Sequence, residues 1–279
     1  MSTKPIVVGT DGSAQAVRTV EWAAREAVLR SAPLRIVSAA EMLPRMAVSP
    51  MSAGIGTVAT HLSGERDRAL ATAASVAAAT APGLLIDTDP LDGPAAQAVT
   101  ASGSGALLLV VGSHGIGAFA AMTLGSVSRY VAMHASCPVV VVRDETTATR
   151  RLVAVGIRSP LDCGAALAFA FEEAHLREAA LLAVHACQFG DSDAAERAAV
   201  ELDELLDDWR CKYPDVDASR DVVHGHPGQV LADLSAEADL VVLGRHDASD
   251  RLMPGPARVI QAVVSHAHGP VVIVPPQGS

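Results

Sequence analysis

The sequence predicts an α/β fold: two tandem five-stranded parallel sheets, strand order 3-2-1-4-5, with helices on both faces. Three observations predict it. Short apolar runs alternate with longer segments of helical period, as expected of parallel β-α units. The pattern is written twice. The 279 residues are 50% hydrophobic, 19% charged and only 3% aromatic. The core must then be built from Ala, Val and Leu, which suits helices packed closely on a parallel sheet.

In the first copy the expected strands are Ile6–Val8, Leu34–Ala40, Leu84–Ile86, Leu107–Val111 and Val139–Val142. The segments between have helical length. In the first of them Val17, Val20, Ala24 and Val28 fall on one face. Pro90 closely follows the third run, and proline belongs at sheet edges, so strand three is expected at an edge. Right-handed crossovers then give the order 3-2-1-4-5, with a crevice between strands one and four.

The duplication is read from fixed offsets. His134-Ala135-Ser136-Cys137-Pro138 before Val139–Val142 matches His266-Ala267-His268-Gly269-Pro270 before Val271–Val274 at an offset of 132 (266 minus 134). Val110-Val111-Gly112 matches Val242-Leu243-Gly244 at the same offset, whereas Val7-Val8-Gly9 matches Ala154-Val155-Gly156 at 147 (156 minus 9). The first copy therefore holds an insertion, placed at Met42–Thr60, where Pro, Met, Ser and Gly follow no clear period. Asp144 to Arg150 reads as a polar linker. The domains are expected at 1–145 and 150–279.

A net charge of −10 without a long basic run disfavours DNA or RNA as a partner, since phosphate neutralisation needs clustered Lys and Arg. Cys137, Cys163, Cys187 and Cys211 form no C-x-x-C and lie far apart, which suggests a reducing, cytoplasmic setting. The first apolar run is too short for a signal peptide. The charge-free stretch Gly93–Ser128 carries too much Gly, Ser and Pro to span a membrane.

The chemistry is concentrated after the fourth strand, in Gly112-Ser113-His114-Gly115, then nine residues, then Gly125-Ser126. A buried strand, a glycine-bearing loop and a helix start together make a phosphate site: glycines let the backbone approach, and helix N–H groups point at the anion. The helix-compatible stretch runs from Val127 to Ala135, and Gly117, Val127 and Ser128 flank the same turn. Strand one ends in Gly9-Thr10-Asp11-Gly12-Ser13, facing that loop across the crevice. Asp11 can accept hydrogen bonds from a ribose hydroxyl or an adenine amino group. Ala39, at the end of strand two, leaves room for a flat base. Gly112 and Gly115 are expected to wrap phosphates. From Ile116 to Leu124 there is no Lys or Arg, so phosphate charge must be met by backbone amides, by Arg129, or by a divalent cation such as Mg2+.

Rival motifs fit less well. Gly115-Ile116-Gly117-Ala118-Phe119-Ala120 matches G-x-G-x-x-[GA], but it follows the fourth strand. No acidic residue ends a strand about twenty residues on, where Ala135 and Ser136 sit. There is no Walker lysine, G-x-S-x-G elbow, H-E-x-x-H or SGG-x-DS loop. No general base is positioned beyond His114, and no catalytic residue is assigned.

These residues, with the duplication, resemble the universal stress protein family in its tandem form. The resemblance covers nearly the whole chain. The family's ATP-binding subclass carries G-x2-G-x9-G-[ST] after strand four and an Asp after strand one, here Gly112, Gly115, Gly125, Ser126 and Asp11. It implies an adenine nucleotide α-hydrolase-like sheet, ATP or a related adenine nucleotide as ligand, and stress or dormancy regulation with little or no hydrolysis. Nucleotide occupancy would change the Met42–Thr60 loop, for a protein partner to read. In the family the last strands of paired domains meet, so a pseudo-dimer of the two copies, or a homo-oligomer, is expected. Two alternatives stand beside this reading: an interaction scaffold without nucleotide, and a slow ATPase or nucleotidyl transferase using Ser126 or His114.

The second copy has lost most of the motif. At the fixed offsets Asp11 becomes Arg158, Gly115 becomes Asp247, Gly125 becomes Ala257 and Ser126 becomes Arg258; only Gly244 survives. A carboxylate at a phosphate-wrapping position repels the anion. The second copy is therefore expected not to bind ATP in the family's manner, and Arg158 and Asp247 are expected to pair across the crevice. His185, His224, His226 and His246 gather near strand ends, where imidazoles could bind metal or sense pH. His224 and His226 would alternate faces on a strand, and the resemblance makes His185 a structural histidine. No metal site is assigned.

Overall fold

A computed structural model describes residues 4–40, 55–115, 124–143, 149–159, 163–187, 192–245 and 256–276. The chain divides into two compact units, residues 1–142 and 143–279. The first unit runs β1 (Ile6–Gly9), α1 (Ala14–Leu29), β2 (Leu34–Ala40), α2 (Ile55–Thr80), β3 (Ile86–Asp92), α3 (Ala95–Ser102), β4 (Leu108–Gly112), α4 (Ser126–His134) and β5 (Val139–Val142). Its strands are ordered β3-β2-β1-β4-β5 and pair in parallel throughout. The central strands β1 and β4 are buried because both faces are covered: α1 packs on α2, and α3 on α4.

The second unit repeats this with β6 (Leu152–Gly156), α5 (Gly164–Leu176), β7 (Ala180–Cys187), α6 (Ser192–Lys212), β8 (Ala218–His224), α7 (Pro227–Leu234), β9 (Leu240–Gly244), α8 (Pro256–His266) and β10 (Val271–Val274). Its order is β8-β7-β6-β9-β10, again all parallel. The α/β class and the strand order are those the sequence predicts.

The repetition reaches into single turns. Both α1 and α5 end on a glutamate–arginine pair four residues apart, Glu26–Arg30 and Glu173–Arg177, each at 2.7 Å. The residue after each arginine, Ser31 or Glu178, takes positive φ of 49° or 50°. The next amide, Ala32 or Ala179, returns to a carbonyl inside the helix, Ala27 or Ala174, at 2.9 Å. A left-handed residue closing a helix is usually glycine. Here the backbone turn is kept twice without one.

Three local expectations are corrected. β3 lies at Ile86–Asp92, not Leu84–Ile86, so Pro90 is inside it. The strand is still an edge, where one missing ladder donor is tolerated. The buried face of α1 runs through Ala16, Val20, Ala23, Ala24 and Ala27, while Val28 is 57% exposed, because the small alanines let the helix sit close on the sheet. Finally, α2 begins at Ile55, so 55–60 of the expected insertion is helix. The rest of that insertion and most of the linker lie outside the described residues. Among the described residues no helix is long and apolar enough to cross a membrane.

Candidate functional site

At the C-terminal ends of β1 and β4 the first unit opens a cavity of about 700 Å³, within the range of small-molecule sites. It is lined by Gly9, Thr10 and Asp11 after β1, and by Ala39 from the end of β2. Gly112, His114 and Gly115 line it from the β4 loop, and Gly125 to Ser128 from the start of α4. The sequence brings all of these to one place through the sheet order alone. Gly117 lies outside the described residues. The wall that sequence reading missed is Ala95 and Val99 of α3, with Ala16, Val111 and Leu124. Its only signal is Gly93-Pro94-Ala95, which opens a helix at the same sheet end with proline as N-cap.

The β1 loop is built by local chemistry. Thr10 donates its amide to Val37, and its hydroxyl accepts from Gly12 at 3.3 Å. Gly12 has φ of 80°, which favours glycine. The Asp11 carboxylate accepts from the Ser13 amide at 2.9 Å, and Ser13 caps α1 through its hydroxyl. Asp11 is thereby fixed at the cavity edge with one oxygen occupied locally. Its other oxygen lies only 2.5 Å from where a Cβ on Gly115 would stand. The facing loops touch at this point, and glycine at 115 is what permits it.

Gly112 has a different reason. A Cβ there would meet the Thr19 hydroxyl of α1 at 2.9 Å and Gln15 at 3.2 Å. Its backbone borders the cavity, but its missing side chain makes room for helix packing. Packing against α1 is thus a second reason for glycine at this position, beside the one expected from the sequence. Ser128 also spends its hydroxyl within the protein, donating to the Gly112 carbonyl at 2.5 Å. Gly125 is the N-cap of α4 and donates to Ser113 at 2.9 Å. The first intrahelical amide to find a carbonyl is that of Arg129, bonded to Gly125. The N–H groups of Ser126, Val127 and Ser128 are those a helix leaves open at its start, and all three residues border the cavity.

His114 completes the set. Its Nδ1 is 2.9 Å from the hydroxyl of Ser113, a fully buried residue whose amide bonds Val142. Its Nε2 is buried and, among the described residues, has no hydrogen-bond partner. A buried ring nitrogen left open costs about 1–3 kcal/mol. Among the described residues no Lys or Arg lines the cavity, and Arg129 is exposed outside it. Among the described residues the donors available to an anion are therefore amides, the Ser126 hydroxyl and one imidazole, and Asp11 is the one acid in the lining.

The same sheet end of the second unit is built otherwise. Leu231 of α7 stands where Val99 stands, at offset 132 (231 minus 99). It presses on Gly156, where a Cβ would meet Leu231 at 2.8 Å; the same test at Gly9 meets Val99 at 3.4 Å. The cavity beside Arg158 holds about 160 Å³ and is lined by Ile157, Arg158, His185 and residues of α6. Arg158 is exposed; Asp247, and with it the expected ion pair, lies outside the described residues. α8 begins at Pro256, so Ala257 and Arg258 lie inside its first turn. Both helices end at the same offset of 132, at His134 and His266, so α8 starts two residues earlier than α4, and the positions aligned with the N-cap Gly125 and with Ser126 lie within the helix.

The histidines scatter. His185 lies within β7 and bonds the Ile157 carbonyl at 3.0 Å. His224 ends β8, and His226 is already the N-cap of α7, so the two do not alternate on a strand. His246 lies outside the described residues. Among the described residues no three His, Cys, Asp or Glu side chains gather as metal ligands.

Comparison with known proteins agrees with this architecture. The family model described as "Universal stress protein family" matches twice, over residues 2–143 and 149–275. A universal stress protein of Mycobacterium tuberculosis strain H37Rv is 31% identical over 276 residues, covering 97% of this chain and 96% of that one. One of Mycolicibacterium smegmatis is 31% identical over 287 residues, covering 98% and 97%. The crystal structure of a universal stress protein from Archaeoglobus fulgidus superposes with a TM-score of 0.72 at 18% identity, covering 98% of this chain and 96% of that one. The chain belongs to the universal stress protein family and carries the family's domain in tandem.

Proposed function

We propose that the first unit binds an adenine nucleotide as a regulatory ligand in a stress response, and that the second unit does not bind it in the same manner. One observation carries this reading. A cavity of about 700 Å³ is bordered by the open amides of α4 and by a buried imidazole nitrogen that has no partner among the described residues. Buried polar atoms are almost always paired, and a ligand with anionic oxygens would pair these. Small side chains, Ala39, Ala95 and Val99, leave a flat apolar wall for the base, and Asp11 can accept from a ribose hydroxyl or the adenine amino group. Without a lysine or arginine in the lining, a triphosphate would bring its own divalent cation, Mg2+ being the common one. Backbone amides and Asp11 would then hold the pair.

The test is to extract the purified full chain with acid and to identify the released nucleotide by mass and count it. About one adenine nucleotide per chain is expected if dissociation is slow enough to survive purification. Competition among ATP, AMP and cyclic AMP then ranks the ligand. A guanine or dinucleotide ligand, or two nucleotides per chain, contradicts the proposal.

A further inference from the structure

Outside this cavity, the second unit holds a thiol and an imidazole side by side. Cys187 ends β7 and His224 ends β8, and the two are direct partners in the parallel register of the sheet. The Cys187 sulfur lies 3.5 Å from His224 Nδ1 and 3.6 Å from the Val223 carbonyl. Sulfur contacts of this length are within hydrogen-bond reach: the thiol donates to the Val223 carbonyl, and the imidazole nitrogen stands beside the sulfur as a second partner. The backbone fixes the sulfur's position, because Gly225 donates to the Cys187 carbonyl at 2.9 Å immediately beyond the pair. Cys187 is half-buried and His224 exposed, so the pair lies at the surface of the described residues. Among the described residues no third His, Cys, Asp or Glu joins them, which leaves a nucleophile–base pair and not a metal site.

The other thiols differ. Cys137 and Cys163 are buried, and Cys211 is exposed on α6 with no imidazole within reach among the described residues. Cys211 is a built-in control: more open to reagent, yet without a base.

We propose that Cys187 is a His224-activated thiol and a modification site for small hydroperoxides. His224 takes the thiol proton. The sulfur attacks one peroxide oxygen, the O–O bond breaks, and the sulfur is oxidised to the sulfenic acid. The departing hydroxide, or alkoxide from an alkyl hydroperoxide, takes the proton back from His224 and leaves as water or alcohol. The peroxide is the oxidant, so atoms and electrons balance. This site is independent of the nucleotide reading.

The experiment treats the native full chain briefly with limiting hydrogen peroxide, traps sulfenic acid with a dimedone-type reagent, and quantifies each cysteine peptide by mass. A parallel set uses iodoacetamide. Cys187 is expected to react at least about tenfold faster than Cys211 in both. His224→Gln is expected to bring Cys187 down to the Cys211 rate or below. Because His224 is exposed, the variant should fold, and unchanged circular dichroism confirms it. Cys187 reacting no faster than Cys211, or a Cys187 rate unchanged in His224→Gln, would overturn the proposal.

Discussion

Gly112 and Gly244 occupy the same place in the two units, yet the residues around them have diverged. In the first unit a Cβ on Gly112 would strike Thr19 at 2.9 Å; in the second, a Cβ on Gly244 would meet Ala166 at an ordinary 3.5 Å. Thr19 and Ala166 are themselves counterparts at offset 147 (166 minus 19). Gly244 is the one motif glycine retained in the second unit, although its packing against α5 no longer requires glycine. The glycine that brings the facing loops together, Gly115, has no surviving counterpart. Where Val99 leaves space, Leu231 fills it. Duplication preserved the scaffold, including the buried Glu–Arg pairs and the left-handed turns, while the rim of the second sheet was free to change.

The largest expected effect breaks the scaffold, not the site. Glu26→Leu leaves Arg30, whose side chain is 6% exposed, without its buried partner, and should cost about 3 kcal/mol in denaturant unfolding. Glu173→Leu should cost less, since the Arg177 side chain is 21% exposed and can reach water.

Next comes Gly112→Ala. Thr19 is fully buried and its hydroxyl is tied to the Gln15 carbonyl at 2.9 Å, so it cannot swing aside. About 2 kcal/mol of stability should be lost to overpacking. The double variant Thr19→Ala, Gly112→Ala, in which position 19 carries the alanine that the second unit has at Ala166, should recover most of it, and Gly244→Ala alone should be tolerated. Equal costs at 112 and 244 would remove the distinction between the two glycines.

Gly115→Ala should leave stability nearly unchanged while lowering nucleotide affinity about tenfold, ~1.4 kcal/mol, because its Cβ displaces the Asp11 carboxylate. The smallest effect is assigned to His114→Ala. Losing one imidazole contact should weaken nucleotide binding by about fivefold, ~1 kcal/mol, read in the same titration. The folded state should lose only the Nδ1 contact to the Ser113 hydroxyl, about 1 kcal/mol, since Nε2 is unpaired among the described residues.

How much of this was legible follows from where the information sits. β1, β4 and β5 are continuous apolar runs buried on both faces, so Val and Leu alone announce them. β3 is an exposed edge reading IDTDPLD, in which alternating carboxylates and a proline hide the strand. Asp11, Ala39, Gly115 and Ser126 were found because a parallel sheet brings its strand ends to one crevice. Ala95 and Val99 were not, since a wall contributed by α3 depends on how that helix crosses the sheet. The double role of Gly112 was equally hidden: which direction a missing Cβ faces is a tertiary fact. The start of α8 at Pro256 shows the same limit, because a constant offset cannot reveal that a helix begins two residues earlier.

The account stands most directly on the number and location of nucleotide sites. Isothermal titration of the nucleotide-free full chain with ATP and magnesium should give about one site per chain, with Asp11→Ala abolishing it. Two sites per chain, a site that persists in Asp11→Ala, or no binding of any adenine nucleotide would contradict it.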